Sequence, residues 1–281
     1  MPGPLPTLDC PCEGAHLSLA FSYDAPPEGE TRFDFGPHYA RSYQECRICG
    51  HWFAHHDLDL STLYSGEYMD AKYGERLRAT YDRIMALPSG NSDNVARVAR
   101  IQAFGKRHLN AGSRQPRLLD IGSGLAVFPA RMREAGWDCT AVDPDAAAVE
   151  HAQSVAKVKA IKGDFRFLDT SALGLFDLIT FNKVLEHIEA PGALLPTAAR
   201  LLEPHGILYV EVPDVAAAAE GPGREEFFVE HHHVFSPASL VLLIERIGLF
   251  SVIEVQRFRE ASGKFTLCAF ARLGGRAFHR R

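Results

Sequence analysis

From position 117 onward, short apolar runs alternate with segments suited to helices, and few folds accommodate such an order. The apolar runs are RLLDI, CTAVD, KAIK, FDLITF and GILYVEV. Segments compatible with a helix follow at 127–135, 146–152, near Leu168 and at 193–202. This alternation predicts parallel strands in one sheet, with helices packed on both faces.

Two further apolar runs, FSVIEVQRF and FTLCAFARL, follow a predicted helix at 237–247 with no helix between them. Strands joined without a crossover pair in antiparallel fashion. The sequence therefore predicts an α/β fold with a Rossmann-like seven-stranded sheet, helices on both faces and an antiparallel C-terminal hairpin at the sheet edge.

The chain divides into three parts. Residues 1–60 show little periodicity and are rich in Pro, Gly, Cys and His, whereas 67–87 and 95–109 carry apolar residues at helical spacing. We expect a Cys/His-rich segment at 1–60, a helical cap or connecting helices at 61–112, and the α/β domain at 113–281.

Charge and hydropathy exclude some classes of protein. The net charge is −5 and the pI about 6.2, and no basic stripe interleaved with aromatics suggests a nucleic-acid partner. The longest apolar helix-like run is broken by Glu245 and Arg246, so no membrane span is expected. The N-terminus lacks the order of a signal peptide, which predicts a cytoplasmic protein whose six cysteines are not disulfides.

The stretch LLDIGSGLAVF at 118–128 is a strand that leads through a Gly-x-Gly turn into a helix. Such a turn lets the backbone approach a ligand closely, with the free amides of the helix facing it. Asp143 ends the next strand, 23 positions beyond Asp120, where it could bind both ribose hydroxyls. In GDF at 163–165, an acid can meet an adenine amino group and an aromatic can cover the ring.

A nicotinamide or flavin domain is the competing interpretation of this pattern. Its phosphate fingerprint would place a third glycine where Val127 stands, and the first strand ends with the negative Asp120, which suits a pyrophosphate poorly. A cationic cofactor that bears an amino acid suits the turn better.

Together these stretches resemble class I S-adenosylmethionine-dependent methyltransferases, in the small-molecule branch that carries LLDIGSG, VLEHIEAP and EHHHVFSP-like stretches in this order. The resemblance covers about 117–272, and Ala126 stands where the family often has glycine. It implies Asp120, Gly122 and Gly124 at the methionine moiety, Asp143 at the ribose, Asp164 and Phe165 at the adenine, and Asn182 beside the sulfonium.

Four cysteines of the aperiodic segment form two pairs, Cys10 with Cys12 and Cys46 with Cys49. Four thiolates can close a tetrahedral zinc site and stabilise a segment that is poor in apolar residues. One intervening residue strains ligation by both sulfurs of the first pair, so the alternative ligands are His16, His38 and His51. The segment resembles the one that precedes the methyltransferase domain of sugar C-methyltransferases, whose long C-terminal domain is not expected here.

In open α/β sheets ligands bind at the carboxyl ends of the strands, so the loops after FDLITF and GILYVEV should form the acceptor pocket. The second loop, at 213–235, is long enough for a lid and ends in FFVEHHHVFSP. Similar sugar methyltransferases place a Glu-His pair there, which implies a general base at Glu230 and His231. His187, in VLEHIEAP, is a second candidate, and simple packing is the alternative for both histidines.

The sequence thus predicts a methyltransferase that transfers the sulfonium methyl of S-adenosylmethionine to a small acceptor. The acceptor is expected to be sugar-like or polyhydroxylated, methylated on carbon or oxygen. The alternatives are a Rossmann-type NAD(P) oxidoreductase and a non-catalytic module that binds a cofactor or partner. The oligomeric state does not follow from the sequence.

Overall fold

A computed structural model describes residues 10–12, 16–30, 39–58, 76–109 and 114–274. This part of the chain forms a seven-stranded sheet and a four-stranded sheet. Its strands are β1 (Leu17–Tyr23), β2 (Arg41–Cys46), β3 (Trp52–His56), β4 (Arg117–Ile121), β5 (Asp138–Asp143), β6 (Lys159–Lys162), β7 (Phe176–Asn182), β8 (Leu202–Pro213), β9 (His233–Val234), β10 (Phe250–Arg259) and β11 (Phe265–Leu273).

The larger sheet has the strand order β10-β11-β8-β7-β4-β5-β6. Strands β4 to β8 pair in parallel, while β11 runs antiparallel to both β8 and β10. The predicted Rossmann-like sheet and its antiparallel C-terminal hairpin are therefore confirmed.

The α-helices that the structure describes lie on both faces of this sheet. They are α1 (Leu77–Met85), α2 (Asp93–His108), α3 (Val127–Glu134), α4 (Ala146–Ser154), α5 (Leu195–Leu201) and α6 (Pro237–Glu245). Consecutive residues Leu178 and Ile179 of β7 belong to two separate apolar cores, as the alternation of side chains along a strand requires. Ile101 of α2 packs in the first of these cores and Leu240 of α6 in the second.

One predicted helix is wrong, and another is only partly described. Near Leu168 the chain forms turns, because the carboxylates of Asp164 and Asp169 accept the backbone N–H groups of Arg166 and Ser171 at 2.9 and 3.0 Å. Such local bonds compete with helix formation. The helix expected at 67–87 is observed from residue 77, and positions 59–75 lie outside the described residues.

The smaller sheet joins the N-terminal segment to the α/β domain. Its strand order is β1-β2-β3-β9, and β9 is supplied by the loop at 213–235. Val234 pairs with Trp52 and His233 with Phe53. The loop in which the sequence shows no regular element thus forms the seam between the two sheets. Among the described residues, no helix has the length and apolar character needed to cross a membrane.

Candidate active site

The glycine turn after β4 has a backbone that side chains would disturb. Gly122 has φ 70°, and a Cβ built on it would lie 2.6 Å from Cγ2 of Val184. Gly124 has φ 48°, and a Cβ there would meet no described atom within 4 Å. The first glycine is therefore required by packing, whereas the second borders open space at the carboxyl end of the sheet.

Asp143 holds this turn against β5. Its carboxylate accepts the N–H of Gly124 at 2.9 Å and the N–H of Asp145 at 2.9 Å. Burial raises the pKa of Asp143, although the two N–H groups favour its charged form. Asp143 is thus a buried carboxylate at the carboxyl end of the second parallel strand.

Asp120 lies in the same row, one strand away. It accepts hydrogen bonds from Oγ1 of Thr180 at 2.6 Å and from Nδ2 of Asn182 at 2.7 Å. Burial raises the pKa of Asp120 to about 7. Oδ1 of Asn182 and Oγ of Ser123 are buried without a hydrogen-bond partner in the part of the chain described. Buried polar atoms are normally paired, so this edge of the sheet fits a polar ligand with hydrogen-bond donors.

The turn after β6 reaches the site through Gly163, whose N–H donates to the carbonyl of Asp143 at 3.0 Å. The carboxylate of Asp164 pairs with the guanidinium of Arg166. Phe165, which the sequence assigns to the adenine, is buried in the core, with its ring centroid 5.9 Å from that of Phe181. The exposed aromatic side chain of this turn is Phe167.

Two candidate catalytic histidines, one in the turn after β7 and one just before β9, come together. The ring centroids of His187 and His231 are 4.8 Å apart. Nδ1 of His187 donates to the carbonyl of Glu230 at 2.9 Å, and Nδ1 of His231 donates to the carbonyl of Glu226 at 2.9 Å. Because carbonyls only accept, Nδ1 carries a proton in both rings. A backbone carbonyl, rather than the carboxylate of Glu230, orients Nδ1 of His231.

Glu186 is the residue of this cluster that the sequence reasoning missed. A carboxylate oxygen of Glu186 and one ring nitrogen each of His187 and His231 lie within 4.8 Å of one another. The signal was present in VLEH, since Glu186 directly precedes His187. Sequence alone could not show that its side chain is buried rather than solvated.

His232 and His233, which follow His231 in the chain, lie at the seam between the two sheets. Nε2 of His233 donates to the carbonyl of Glu189 at 3.1 Å, so its Nδ1 accepts from Nε2 of His51 at 2.9 Å. Nδ1 of His51 lies 3.0 Å from Oγ of Ser239. Burial lowers the pKa of His232 and of His233 to about 4. These imidazoles are therefore neutral.

The N-terminal segment forms hydrogen bonds with the backbone of residues 226–233, which we call the histidine stretch. Arg41 and Glu30 form an ion pair whose side chains are fully buried. Nη1 of Arg41 donates to the carbonyl of Phe227 at 2.7 Å, and the N–H of Val229 donates to Glu30 at 2.8 Å. The hydroxyl of Tyr43 donates to the carbonyl of His231 at 2.6 Å.

Four cysteine sulfurs of the N-terminal segment lie close together, and one of them belongs to Cys46 at the end of β2. Sγ of Cys10 lies 3.0 Å from that of Cys12 and 3.6 Å from that of Cys49, and Sγ of Cys12 lies 3.5 Å from that of Cys46. Although burial opposes ionisation, backbone N–H groups lower the pKa of Cys46 to about 7. Four thiols within 4.8 Å of one another suit a thiophilic ion. His51 is engaged by Ser239 and His233, and His38 lies outside the described residues.

A cavity of about 480 Å³ opens between α2 and the C-terminal hairpin. Glu211, in its wall, pairs in register with Asn182, so the cavity adjoins the cofactor edge. Arg97 and Glu211 form a buried bidentate ion pair. The polar and charged side chains of its lining are Asp93, Arg97, Arg100, Glu211, Gln256, Arg257, Arg259 and Glu260.

Comparisons with known proteins agree with this geometry. A family profile described as a methyltransferase domain matches residues 75–254. The ubiquinone biosynthesis O-methyltransferase of Caulobacter vibrioides is 31% identical over 128 residues, which are 42% of this chain and 51% of that protein. Its counterpart in Xanthomonas oryzae pv. oryzae is 31% identical over 108 residues, covering 37% and 45% of the two chains. The matched part thus spans about half the length of these relatives.

Solved structures show the same fold. Magnesium protoporphyrin IX methyltransferase from Synechocystis, with bound S-adenosylhomocysteine (SAH), has 14% identity and a TM-score of 0.57 over 76% of this chain and all of that one. The 1,6-didemethyltoxoflavin-N1-methyltransferase of Burkholderia thailandensis has 23% identity and a TM-score of 0.51, covering 79% and 95%. The architecture is that of the class I methyltransferases. The chain belongs to the methyltransferase domain family.

The two glycines of the turn allow a matched test. Gly124→Ala should fold with a strain of about 1 to 2 kcal/mol, yet weaken SAH binding by about tenfold or more, because its methyl group enters the open space. Gly122→Ala should cost about 2 to 4 kcal/mol of stability, because strain adds to the clash with Val184. Gly136→Ala is the control, because Gly136 also has a positive φ, of 93°, and a Cβ built on it would meet no described atom within 4 Å. It carries the same kind of backbone strain outside the proposed site. Thermal melts and calorimetry with SAH give the two readouts, and equal SAH affinity in all three variants would contradict the assignment.

Proposed function

We propose that the protein is an S-adenosylmethionine-dependent methyltransferase that acts on a small, sugar-like or polyhydroxylated acceptor. The observation that carries the proposal is the row of Asp143, Asp120 and Asn182 at the carboxyl edge, next to the glycine turn. Two acids and an unsatisfied amide oxygen suit a ribose and a cationic amino-acid group better than a pyrophosphate. The structural neighbour that binds SAH supports the same cofactor, and the relatives are named as O-methyltransferases.

Each residue assigned to the cofactor has its own role. Asp143 holds the ribose hydroxyls, Asp120 and Asn182 hold the methionine end, and Asp164 meets the adenine amino group. Phe165 supports the turn from within the core. The cofactor supplies an activated methyl group on a sulfonium that leaves readily. The protein therefore has to align the acceptor with that group and remove one proton from it.

The polar cavity beside Glu211 is our candidate acceptor pocket. Its wall offers carboxylates and guanidinium groups from Asp93, Arg100 and Glu260, together with the amide of Gln256. Such groups can form hydrogen bonds with acceptor hydroxyls, which supports a sugar-like acceptor. Whether the methyl goes to carbon or oxygen is decided by the acceptor atom that faces the cofactor.

His231 is the proposed general base, with His187 beside it. In both rings Nδ1 donates to a backbone carbonyl, so Nε2 is the nitrogen that would accept the proton. An imidazole that titrates near neutrality is suited to take a proton from a hydroxyl or an activated carbon. Glu230 contributes by holding His187 through its carbonyl, and its buried carboxylate lies next to His231 in the chain.

We also propose that Cys10, Cys12, Cys46 and Cys49 bind one structural zinc ion. Four converging sulfurs support this assignment, and the bound ion would stabilise the sheet that holds the histidine stretch. The absence of disulfides among the described cysteines supports a reducing compartment, and we infer a cytoplasmic location.

Calorimetry with SAH and with NAD tests the proposed function. We expect the protein to bind SAH but not NAD, and Asp143→Ala to weaken SAH binding by about 1 to 3 kcal/mol, the usual loss of charge-assisted hydrogen bonds. Glu150→Ala, an exposed acid on α4, is the control and should bind SAH normally. Binding of NAD in place of SAH would favour an oxidoreductase. SAH binding without turnover on any acceptor would favour a non-catalytic module.

A further inference from the structure

We propose that Glu186 is the third member of the proton-accepting site, and that its carboxyl group shares a proton with the imidazoles of His187 and His231. This inference rests on the proposed function, since the proton comes from the methyl acceptor. We call Glu186, His187 and His231 the proton cluster.

The geometry of the cluster points to this role. Its three members lie on two segments, the 3-10 turn Leu185–His187 after β7 and the histidine stretch before β9. One carboxylate oxygen and two ring nitrogens lie within 4.8 Å of one another. The N–H of His232 donates to the carbonyl of Glu186 at 2.8 Å, which ties the two segments together at this point. Small movements of the side chains would bring these atoms into hydrogen-bond contact.

The burial of Glu186 supplies an independent argument. Its side chain is fully buried, and neither carboxylate oxygen has a hydrogen-bond partner within the described ranges. A buried ionised carboxylate without a partner is costly, so such a group holds a proton or stands beside a cation. The ring nitrogens of the two imidazoles lie within 4.8 Å of a carboxylate oxygen of Glu186, and a protonated imidazole can supply that cation.

Other charged groups face Glu186 from the surrounding elements. Burial raises its pKa to about 8, while the charges of Lys183 and Lys264 lower it and that of Glu211 raises it. The carboxylates of Glu226 and Glu230 belong to the histidine stretch and are also buried. The two lysines do not overcome the burial, so Glu186 is protonated at neutral pH in the absence of a closer partner.

A consistent proton balance follows. Above the pKa of the cluster, Glu186 is ionised and both imidazoles are neutral, so the cluster carries one negative charge. As the acceptor forms its bond to the methyl carbon, the sulfonium S–C bond breaks and the acceptor's proton passes to the imidazole of His231. The imidazolium then lies beside the Glu186 carboxylate, and the net charge of the cluster becomes zero. The carboxylate thus stabilises the charge that appears during transfer and raises the basicity of the imidazole.

Glu186→Gln should therefore change the pH dependence of turnover, which a purely structural residue would not do. In the wild-type protein, kcat should rise with pH through a midpoint above the ordinary histidine value of about 6.5. In Glu186→Gln the midpoint should fall to about 6.5 or below, and the plateau should drop by about tenfold or more. The affinity for SAH should stay within a factor of about three. Glu189→Gln, an exposed acid in the same segment, should match the wild type.

An NMR titration of the wild-type protein provides a test that does not depend on the variant folding or on knowledge of the acceptor. The Cε1–H signals of His187 and His231 should titrate as a coupled pair with a midpoint above 6.5. Independent titration at or below 6.5, or an unchanged pH profile in Glu186→Gln, would overturn the proposal. The proposal would also be overturned if the wild-type protein bound a second equivalent of Mn²⁺ or Zn²⁺ and Glu186→Gln did not. The carboxylate would then be a metal ligand. Failure to bind SAH would instead refute the proposed function and leave the titration result standing.

Discussion

Replacing His231 with alanine is expected to lower turnover by about 10² or more, the usual scale of a lost general base. The affinity for SAH should remain within a factor of a few, because the proposed cofactor contacts are made by Asp143, Asp120 and Asn182 and not by His231. Single-turnover kinetics with the true acceptor would measure the loss directly.

His231→Asn separates catalysis from anchoring. Its amide can still donate to the carbonyl of Glu226, which His231 does through Nδ1 at 2.9 Å. If His231 acts as a base, the asparagine variant should be as slow as the alanine variant. Recovery of turnover in His231→Asn would show that only the anchor matters. Full turnover in both variants would transfer the role to His187 or remove the need for a base.

Loss of the N-terminal metal site is expected to have the second large effect. Purified protein should contain about one zinc ion per chain, and the double substitution Cys46→Ser with Cys49→Ser should release it. Because structural zinc contributes folding energy directly, residues 1–60 should then become sensitive to proteolysis. Elemental analysis and limited proteolysis are the measurements.

The structure extends this prediction to turnover. Oγ of Ser236 binds the carbonyl of Cys49, and the hydroxyl of Tyr43 binds the carbonyl of His231 at 2.6 Å. Release of the metal should therefore loosen the histidine stretch and slow catalysis, while SAH binding at Asp143 and the glycine turn persists. Cys139→Ser, a buried cysteine of β5, is the control and should keep its zinc and its activity. Absence of any transition metal from freshly prepared, unchelated protein would contradict the assignment.

Much of the fold follows from local sequence patterns. The period of the apolar runs identifies the strands and helices around RLLDI and FDLITF, and the missing helix between the last two strands identifies the hairpin. The failure near Leu168 has a local cause, since two aspartates bind backbone N–H groups that a helix would have used. Side-chain caps of this kind leave the apolar spacing unchanged, so periodicity alone could not detect them.

Non-local contacts explain what the sequence could not show. Strand β9 has only two residues, and its partner β3 lies some 180 positions earlier in the chain. No local period marks such a strand. Phe165 was assigned to the adenine by its motif, yet burial directs its ring into the core. Glu186 was overlooked because a glutamate beside a histidine is ordinary in sequence, and only its burial without a described partner makes it notable.

A structure of the protein with SAH bound tests the central claim most directly. We predict that the ribose hydroxyls lie about 2.7 to 3.2 Å from the carboxylate of Asp143. We also predict that the amino-acid end of SAH binds Asp120 and Asn182, and that its sulfur faces the proton cluster. SAH bound away from the glycine turn, or with its sulfur facing away from His231, would contradict it.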